Sequence, residues 1–261
     1  MRVENIGFGN LKLKQNPTEF CYGIDAVILA DFAVSICKNF NRAVDLGTGT
    51  GIIPFILSHK AVSENSKILG VDVQQTCVNM ARESCRMNRL ENRINFICAD
   101  VSDIAGIESS ADFERISRDT ILSETLESGG FDIVTSNPPY VAKGSGLING
   151  NKGKFIARQE TTADVEDFIK AASKLVRKKG HFFMVHRPSR LVDIIYYCRK
   201  YMLEPKTLRF VSPRKNEAPN IVLIHCVQGG GKELLVRENM LVYDDKGEYS
   251  NEINKIYERK V

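Results

Sequence analysis

The sequence of 261 residues lacks a hydrophobic run long enough to cross a membrane. A spanning helix needs about 18 consecutive apolar residues, whereas the most apolar stretch, residues 24–34, is shorter and carries Asp25 and Asp31. The first residues also lack a basic region followed by an apolar run, so no signal peptide is predicted. These absences predict a cytoplasmic protein without a membrane segment.

Paired cysteines and clustered histidines are missing as well. The seven cysteines are an odd number without a Cys-x-x-Cys pair, and the four histidines are scattered along the chain. A disulfide framework or a zinc site would need such pairs or clusters. We therefore expect reduced thiols and no metal.

The chain carries little net charge, only +4, but its charges are unevenly distributed. Residues 100–132 hold nine acidic and two basic side chains, and residues 170–215 hold thirteen basic and two acidic ones. Two interpretations stay open at this point. The charges form two solvated faces, or the basic segment binds a polyanion while the acidic segment points away from it.

Short apolar runs, which predict strands, alternate through most of the chain with apolar residues at helical spacing, which predict helices. The predicted strands are 43–46, 68–72, 94–98, 131–135 and 181–185, and the predicted helices are 52–59, 74–89, 162–178 and 191–201. The last third predicts strands joined by turns, at 207–211, 221–227 and 234–242. This order predicts a parallel sheet with right-handed crossovers and an antiparallel edge.

A glycine-rich segment, Asp-Leu-Gly-Thr-Gly-Thr-Gly at 45–51, follows the first of these strands and opens a helix. Glycines there allow a sharp turn and the close approach of a ligand to the backbone. Asp72, at the end of the next strand, can accept both hydroxyls of a ribose. Ile52 stands where a dinucleotide-binding loop has its third glycine, so no pyrophosphate is implied. The alternative is that Asp72 and Asp100 only cap strand ends.

This loop resembles the first motif of the class I methyltransferases that use S-adenosylmethionine. The resemblance implies a Rossmann-like, doubly wound α/β fold with a mostly parallel seven-stranded sheet and an antiparallel C-terminal edge. It also implies S-adenosylmethionine as cofactor, with the loop at its amino-acid end, Asp72 at its ribose and Asp100 at its adenine. The cofactor-binding residues expected from it are Tyr22, Asp25, Asp45, Gly47, Thr48, Gly49, Gly51, Asp72, Val73, Asp100, Val101 and Asn137.

The segment Ser136-Asn-Pro-Pro-Tyr140 follows the fourth predicted strand. By itself it predicts a rigid turn, but downstream of the glycine loop it resembles the (N/D)PP(Y/F) motif of methyltransferases that modify planar nitrogens. The Asn137 side-chain oxygen and the Pro138 carbonyl can each accept an N–H of such a nitrogen. Tyr140 offers a face for stacking. We therefore predict Asn137, Pro138, Pro139 and Tyr140 as catalytic residues.

The motif does not distinguish adenine in nucleic acid, guanine in ribosomal RNA and glutamine in a protein. Over nearly its whole length, however, the chain resembles the bacterial tRNA-Val adenine-N6 methyltransferase family, which modifies the adenine beside the anticodon. The similar segments are 22–26, 45–52, 137–140, 157–160, 185–188 and 236–243. The resemblance implies a tRNA partner; the alternatives are the other two nitrogens, or a cofactor-binding RNA-interaction protein without catalysis.

The predicted organisation follows from these motifs. Residues 1–40 would cover the cofactor and substrate, and residues 41–261 would form the methyltransferase domain with an acidic insertion at about 102–130. Loops after the carboxyl ends of parallel strands share one edge of a sheet, so a basic rim is predicted there for tRNA phosphates. Its residues are Lys143, Lys152, Lys154, Arg158, Arg187, Arg214 and Lys215. A monomer is expected.

Overall fold

A computed structural model of the chain describes residues 1–17, 21–108, 129–140 and 163–259. Within these ranges, no helix is both long and apolar enough to span a bilayer. Most of the predicted insertion falls outside the described residues, and so do four residues of the predicted basic rim. These four are Lys143, Lys152, Lys154 and Arg158.

The described residues form strands and helices that alternate along most of the chain. The strands are β1 (Arg2–Asn5), β2 (Lys12–Gln15), β3 (Arg42–Leu46), β4 (Lys67–Asp72), β5 (Ile94–Cys98), β6 (Phe131–Ser136), β7 (Val176–His186), β8 (Leu203–Ser212), β9 (Ile221–Gln228) and β10 (Leu235–Leu241). The helices are α1 (Ile24–Ile36), α2 (Ile52–Lys60), α3 (Gln75–Met87), α4 (Val101–Gly106), α5 (Val165–Leu175), α6 (Leu191–Lys200) and α7 (Asn251–Ile256).

Eight of these strands form one sheet in the order β10-β8-β9-β7-β6-β3-β4-β5. Neighbours are parallel except where β9 pairs antiparallel with β7 and with β8. The predicted doubly wound α/β class, with its antiparallel C-terminal part, is confirmed. The sheet has eight strands rather than seven because β10 adds to β8 in the parallel direction.

The order of strands reverses between β3 and β6, which are hydrogen-bonded neighbours. Ligands bind at such a reversal, outside the carboxyl ends of the strands. The ends of β3, β4, β5 and β6 therefore meet at one edge. Strand β8 also ends there, because β8 and β7 both run opposite to β9. We call this side of the sheet the carboxyl edge.

Apolar side chains cover both faces of the sheet. Neighbouring residues on one strand enter different clusters: Phe183 packs in the cluster that holds α1 and α2, and Phe182 packs in the cluster that holds α5. This alternation follows from the two-residue period of a strand. Both faces are covered by helices, so the interior strands are apolar on each side.

Helix α5 is shorter than the predicted 162–178, because β7 begins at Val176. Val176 pairs with Phe131 of β6, and the Arg177 guanidinium donates to the Asp132 carboxylate at 2.6 Å. These contacts extend the sheet into residues whose apolar spacing alone predicted helix.

A hairpin of β1 and β2 forms a separate two-stranded sheet that the sequence pattern did not predict. Its strands are mostly polar, so they lack the apolar run that marks a buried strand. The hairpin packs on α3: the Lys14 N–H donates to Ser84 Oγ at 2.8 Å, and the Asn88 side chain exchanges hydrogen bonds with the Lys12 backbone. The division of the chain at residue 40 stays a prediction.

Candidate functional site

The glycine loop leaves β3 and enters α2 through left-handed backbone. Gly47, Gly49 and Gly51 have φ angles of 73°, 55° and 90°, which favour glycine. A Cβ on Gly51 would lie 2.8 Å from the Phe96 ring, closer than van der Waals contact allows. The Gly47 N–H donates to the Val71 carbonyl at 2.9 Å, so the loop is tied to β4. Glycine is therefore required here for both conformation and space.

The Asp72 carboxylate holds this loop from the neighbouring strand. Its Oδ2 accepts the Gly49 N–H at 2.7 Å, and its Oδ1 accepts the Gln74 N–H at 2.9 Å. Burial raises the pKa of Asp72, and the two N–H groups oppose that rise. Each carboxylate oxygen has a second lone pair, so both can also accept a ribose hydroxyl. The strand-end role and the predicted ligand role are compatible.

Asp45, the acidic residue of β3, is fully buried below the loop. Its Oδ1 accepts the Thr135 hydroxyl at 2.7 Å, whereas its Oδ2 has no hydrogen-bond partner within the described part of the chain. Burial raises the pKa of this carboxyl to about 7, and the nearby Thr135 and Thr48 hydroxyls oppose the rise. A buried acceptor without a partner is costly. A cation next to Oδ2 would remove that cost, which fits the ammonium of an amino acid.

A cleft opens at the carboxyl edge beside the loop. Its lining residues are Gly47, Asp72, Val73, Asp100, Val101, Ala163 and Phe168. The structure therefore brings together five residues that the sequence predicted separately for cofactor binding. Asp100 also begins α4, since its side chain accepts the Ser102 N–H at 2.8 Å. Like Asp72, it has both a capping contact and a place in the cleft.

Two lining residues, Ala163 and Phe168, were missed. Phe168 lies on the apolar face of the predicted helix 162–178, and its ring is buried in the structure. It also lies against the glycine loop, where a Cβ on Gly47 would be 3.2 Å from its Cε1 atom. An apolar position facing a ligand has the same sequence pattern as one facing the core, so no sequence signal separates the two.

The predicted catalytic segment leaves β6 next to the glycine loop. Leu46 and Ser136, the last residues of β3 and β6, are paired, and the Ser136 hydroxyl donates to the Leu46 carbonyl at 3.1 Å. Asn137 follows at once. The segment and the loop therefore start from adjacent strand ends, although about 90 residues of chain separate them.

The Tyr140 hydroxyl lies near two side chains. Its oxygen is 2.6 Å from Asp25 Oδ2 and 3.1 Å from Asn137 Oδ1. Asp25 is in the first turn of α1, and a helix N-terminus favours an acidic residue. The sequence predicts Asp25 as a cofactor-binding residue. In the structure, its carboxylate accepts a hydrogen bond from Tyr140 of the catalytic segment. The segment 22–26 thus reaches the site through Asp25.

Basic and aromatic side chains surround the Tyr140 ring. The Arg187 guanidinium lies 4.7 Å from the centre of the ring, and the His186 ring approaches its edge at 5.2 Å. Burial lowers the pKa of His186 to about 4, so this imidazole is neutral at pH 7. Arg187 also donates to the Asn220 carbonyl at 2.9 Å. Arg187, predicted to bind phosphate, therefore contacts Tyr140 directly.

Two other predicted rim residues, Arg214 and Lys215, follow the end of β8. The Arg214 guanidinium lies 5.5 Å from the centre of the Tyr243 ring, and both basic residues are exposed. Since β8 ends at the carboxyl edge, its turn is on the same side as the cleft. The bond from Arg187 to Asn220, at the far end of that turn, ties the two regions together.

Tyr22 is half-buried, and it is not among the residues that line the cleft. Its backbone N–H donates to Gln15 Oε1 at 3.1 Å. Burial raises the pKa of its hydroxyl, and the Glu4 carboxylate adds to the rise. Contact between Tyr22 and a cofactor stays a prediction, as do the ligand roles of Thr48 and Gly51.

The sequence and the structure are similar to known proteins. Residues 66–213 match the family model described as Eco57I restriction-modification methylase. A protein of Porphyromonas gingivalis named tRNA1(Val) (adenine(37)-N6)-methyltransferase is 25% identical over 228 residues, covering 85% of this chain and 80% of the relative. A protein of the same name from Aeromonas salmonicida is 23% identical over 229 residues, covering 88% and 85%. The fold is similar to that of a predicted O-methyltransferase from Agrobacterium tumefaciens, with a TM-score of 0.67 and 20% identity, covering 90% and 95%.

Proposed function

Since this chain belongs to the Eco57I restriction-modification methylase family, we propose that it transfers a methyl group from S-adenosylmethionine to the exocyclic amine of an adenine in tRNA. The names of the relatives from P. gingivalis and A. salmonicida favour the adenine beside the anticodon of tRNA-Val. A tRNA substrate places the reaction in the cytoplasm.

The observation that carries this proposal is the pairing of Leu46 with Ser136 at the carboxyl edge. It puts the segment 137–140 beside the loop 47–51. A methyl donor held by the loop and an amine held by the segment would therefore meet between two adjacent strand ends. Holding both reactants in one geometry can lower the barrier of such a direct transfer by about 7–11 kcal/mol.

The charges and hydrogen-bonding groups of the cleft fit S-adenosylmethionine. Asp45 Oδ2 is a buried acceptor suited to the ammonium group. The Asp72 carboxylate is suited to the two ribose hydroxyls, and Asp100 beside Val101 is suited to the adenine ring and its amine. The cofactor supplies an electrophilic methyl group on a sulfonium, which needs neither a metal nor a strong base for its transfer.

The segment 137–140 would bind the accepting amine. The adenine N6 lone pair is delocalised into the ring, which makes the amine a poor nucleophile. Asn137 Oδ1 and the Pro138 carbonyl can each accept one of its N–H groups and favour a pyramidal nitrogen. Transfer would form the N–C bond as the S–C bond of the sulfonium breaks, and the methylated amine would then release a proton to water.

The function is tested by incubating the protein with labelled S-adenosylmethionine and, separately, total tRNA, ribosomal RNA and protein extract. Label in N6-methyladenosine of tRNA supports the proposal, and a transcript of tRNA-Val then tests the position. Label in guanine of ribosomal RNA or in protein glutamine would assign a different planar nitrogen. Cofactor binding with no labelled product in any fraction would indicate a binding module without catalysis.

We predict that the double variant Arg214→Glu, Lys215→Glu binds tRNA more weakly while its affinity for S-adenosylmethionine is unchanged. If each side chain meets one phosphate, the slope of log K against log salt falls by about 1 for each contact. The measurement is tRNA affinity at several salt concentrations.

Lys38→Glu is the matched control for this experiment, because Lys38 is exposed just before β3, at the opposite edge of the sheet. An unchanged tRNA affinity in the double variant, or an equal loss in Lys38→Glu, would contradict a phosphate-binding rim at the turn after β8.

A further inference from the structure

The Tyr140 hydroxyl has one proton, and among the described residues two side-chain oxygens lie within hydrogen-bonding distance of it. Asp25 Oδ2 is 2.6 Å away and Asn137 Oδ1 is 3.1 Å away. A carboxylate and an amide oxygen are both acceptors, so a single phenol proton cannot serve both at once. The shorter contact goes to the carboxylate, and hydrogen bonds to an ionised acceptor are about twice as strong as neutral ones. The proton therefore belongs to the bond with Asp25.

The orientation of the Asn137 amide depends on where the Tyr140 proton lies. With the Tyr140 proton on Asp25, the phenol oxygen presents only lone pairs toward the amide, and an amide oxygen 3.1 Å away would be repelled. Rotating the amide by 180° replaces Oδ1 with Nδ2, which donates to the phenol oxygen. The chain of donors then runs from Asn137 Nδ2 to Tyr140 and on to Asp25.

We propose that Asp25 is a positioning residue that acts through Tyr140 to orient the Asn137 amide for methyl transfer. With Nδ2 occupied by Tyr140, Oδ1 is the amide atom left to accept the N–H of the substrate amine. This inference rests on the proposed function, since it needs an amine as methyl acceptor. It assigns to Asp25 a role in the catalytic segment rather than direct cofactor binding.

The surroundings of Tyr140 support a fixed phenol position. Arg187 lies against its ring and is itself held by the Asn220 carbonyl, while His186 contacts the ring edge. Asp25 belongs to the first turn of a 13-residue helix whose following residues, 26–30, are buried. Tyr140 is thus held between helix α1 and the end of β7. Asn137, the third residue of this hydrogen-bonded series, lies beside the proposed substrate.

The test is a double-mutant cycle of Asp25→Ala and Tyr140→Phe, measured as kcat on tRNA and as affinity for S-adenosylmethionine. In Asp25→Ala, the Tyr140 hydroxyl is free to donate to Asn137 Oδ1. The amide then turns this oxygen toward Tyr140 and away from the amine, so kcat falls by about 10- to 100-fold. Tyr140→Phe removes the competing proton. The double variant is therefore expected to be faster than Asp25→Ala alone, with cofactor affinity unchanged throughout.

Asp31→Ala is the matched control. Asp31 lies on the same helix, but its carboxylate accepts from Lys60 at 2.6 Å, away from the catalytic segment. Its kcat should match that of the wild type. The proposal is overturned if Asp25→Ala keeps its kcat, if cofactor affinity falls in proportion to kcat, or if the double variant is slower than Asp25→Ala.

The cycle also separates this inference from the proposed function. If the wild type labels no adenine in tRNA, the proposed function fails. The cycle is then run on whichever amine or amide is labelled, and it still decides the role of Asp25. If the wild type methylates tRNA and the variants behave additively, only the positioning role fails.

Discussion

Replacing Asn137 with alanine should lower kcat by at least about 100-fold while the affinity for S-adenosylmethionine stays within about twofold of the wild type. The substitution removes the oxygen that holds the amine and leaves the loop 47–51 untouched. Losing one preorganised hydrogen-bonding group in an active site typically costs about 100- to 1,000-fold in rate. Single-turnover methylation of tRNA and cofactor titration measure the two effects.

Two further variants sharpen this prediction. Asn137→Asp keeps a side-chain oxygen as acceptor and should retain more activity than Asn137→Ala. Asn65→Ala, in an exposed turn before β4 at the opposite edge, should behave as wild type. Full turnover in Asn137→Ala would refute the proposal that this side chain holds the substrate amine. A large loss of cofactor affinity would show that the main role of Asn137 is to bind the cofactor.

Asp45→Asn should weaken S-adenosylmethionine binding by about 100-fold, because truncating one member of a buried charge pair typically costs about 2–5 kcal/mol. The pKa of Asp45 is raised to about 7 by burial. A cationic ligand binds the ionised carboxylate more tightly, so wild-type affinity should rise with pH. With a pKa near 7, the ionised fraction grows about tenfold from pH 6 to pH 8.

The Asp45→Asn variant is also the control for this pH dependence. The amino group of the cofactor titrates near the same pH, but its titration is present in both proteins. The difference between the two affinity curves therefore reports Asp45 alone. Parallel curves would show that this carboxyl does not titrate on cofactor binding, and equal affinities would remove Asp45 from the cofactor site.

The raised pKa of Asp45 also affects stability, with a definite sign. A carboxyl whose pKa is higher in the folded protein binds its proton more tightly there. The free energy of unfolding therefore falls as the pH rises from about 4, the pKa of this carboxyl in the unfolded chain, to about 7, its pKa in the folded protein. S-adenosylmethionine bound at Asp45 would offset this loss, so the stabilisation by ligand should be larger at pH 8 than at pH 6.

The residues of the cleft show how far sequence reasoning reaches. Asp72 and Asp100 were predicted because each follows a short apolar strand, and parallel strands bring their carboxyl ends together. The family match confirms the predicted methyltransferase class. Phe168 was not predicted as a lining residue, since its spacing within α5 is that of any core position. The contact of Asp25 with Tyr140 joins residues 115 apart in the chain and has no local pattern.

The fold, like the cleft, was predicted from the sequence only in part. The strands β3 to β7 were predicted because a parallel strand covered by helices on both faces needs an apolar run. The polar hairpin β1–β2 was not, because it depends on hydrogen bonds to α3 rather than on burial of its own residues. Strand β10 was expected, but its parallel pairing with β8, which makes the sheet eight-stranded, depends on partners distant in sequence.

The sequence by itself determined the class of protein, the positions of strands β3 to β10, and the chemistry available at the ends of those strands. Those properties depend on local periodicity and on motifs in which a few adjacent residues suffice. Only the tertiary structure decided the surroundings of individual side chains. Asp45 Oδ2 is buried without a partner among the described residues, Arg187 lies against the Tyr140 ring, and Asp25 accepts a hydrogen bond from the Tyr140 hydroxyl. Such contacts depend on strand order and helix packing, which join distant parts of the chain and leave no periodic signal in either part.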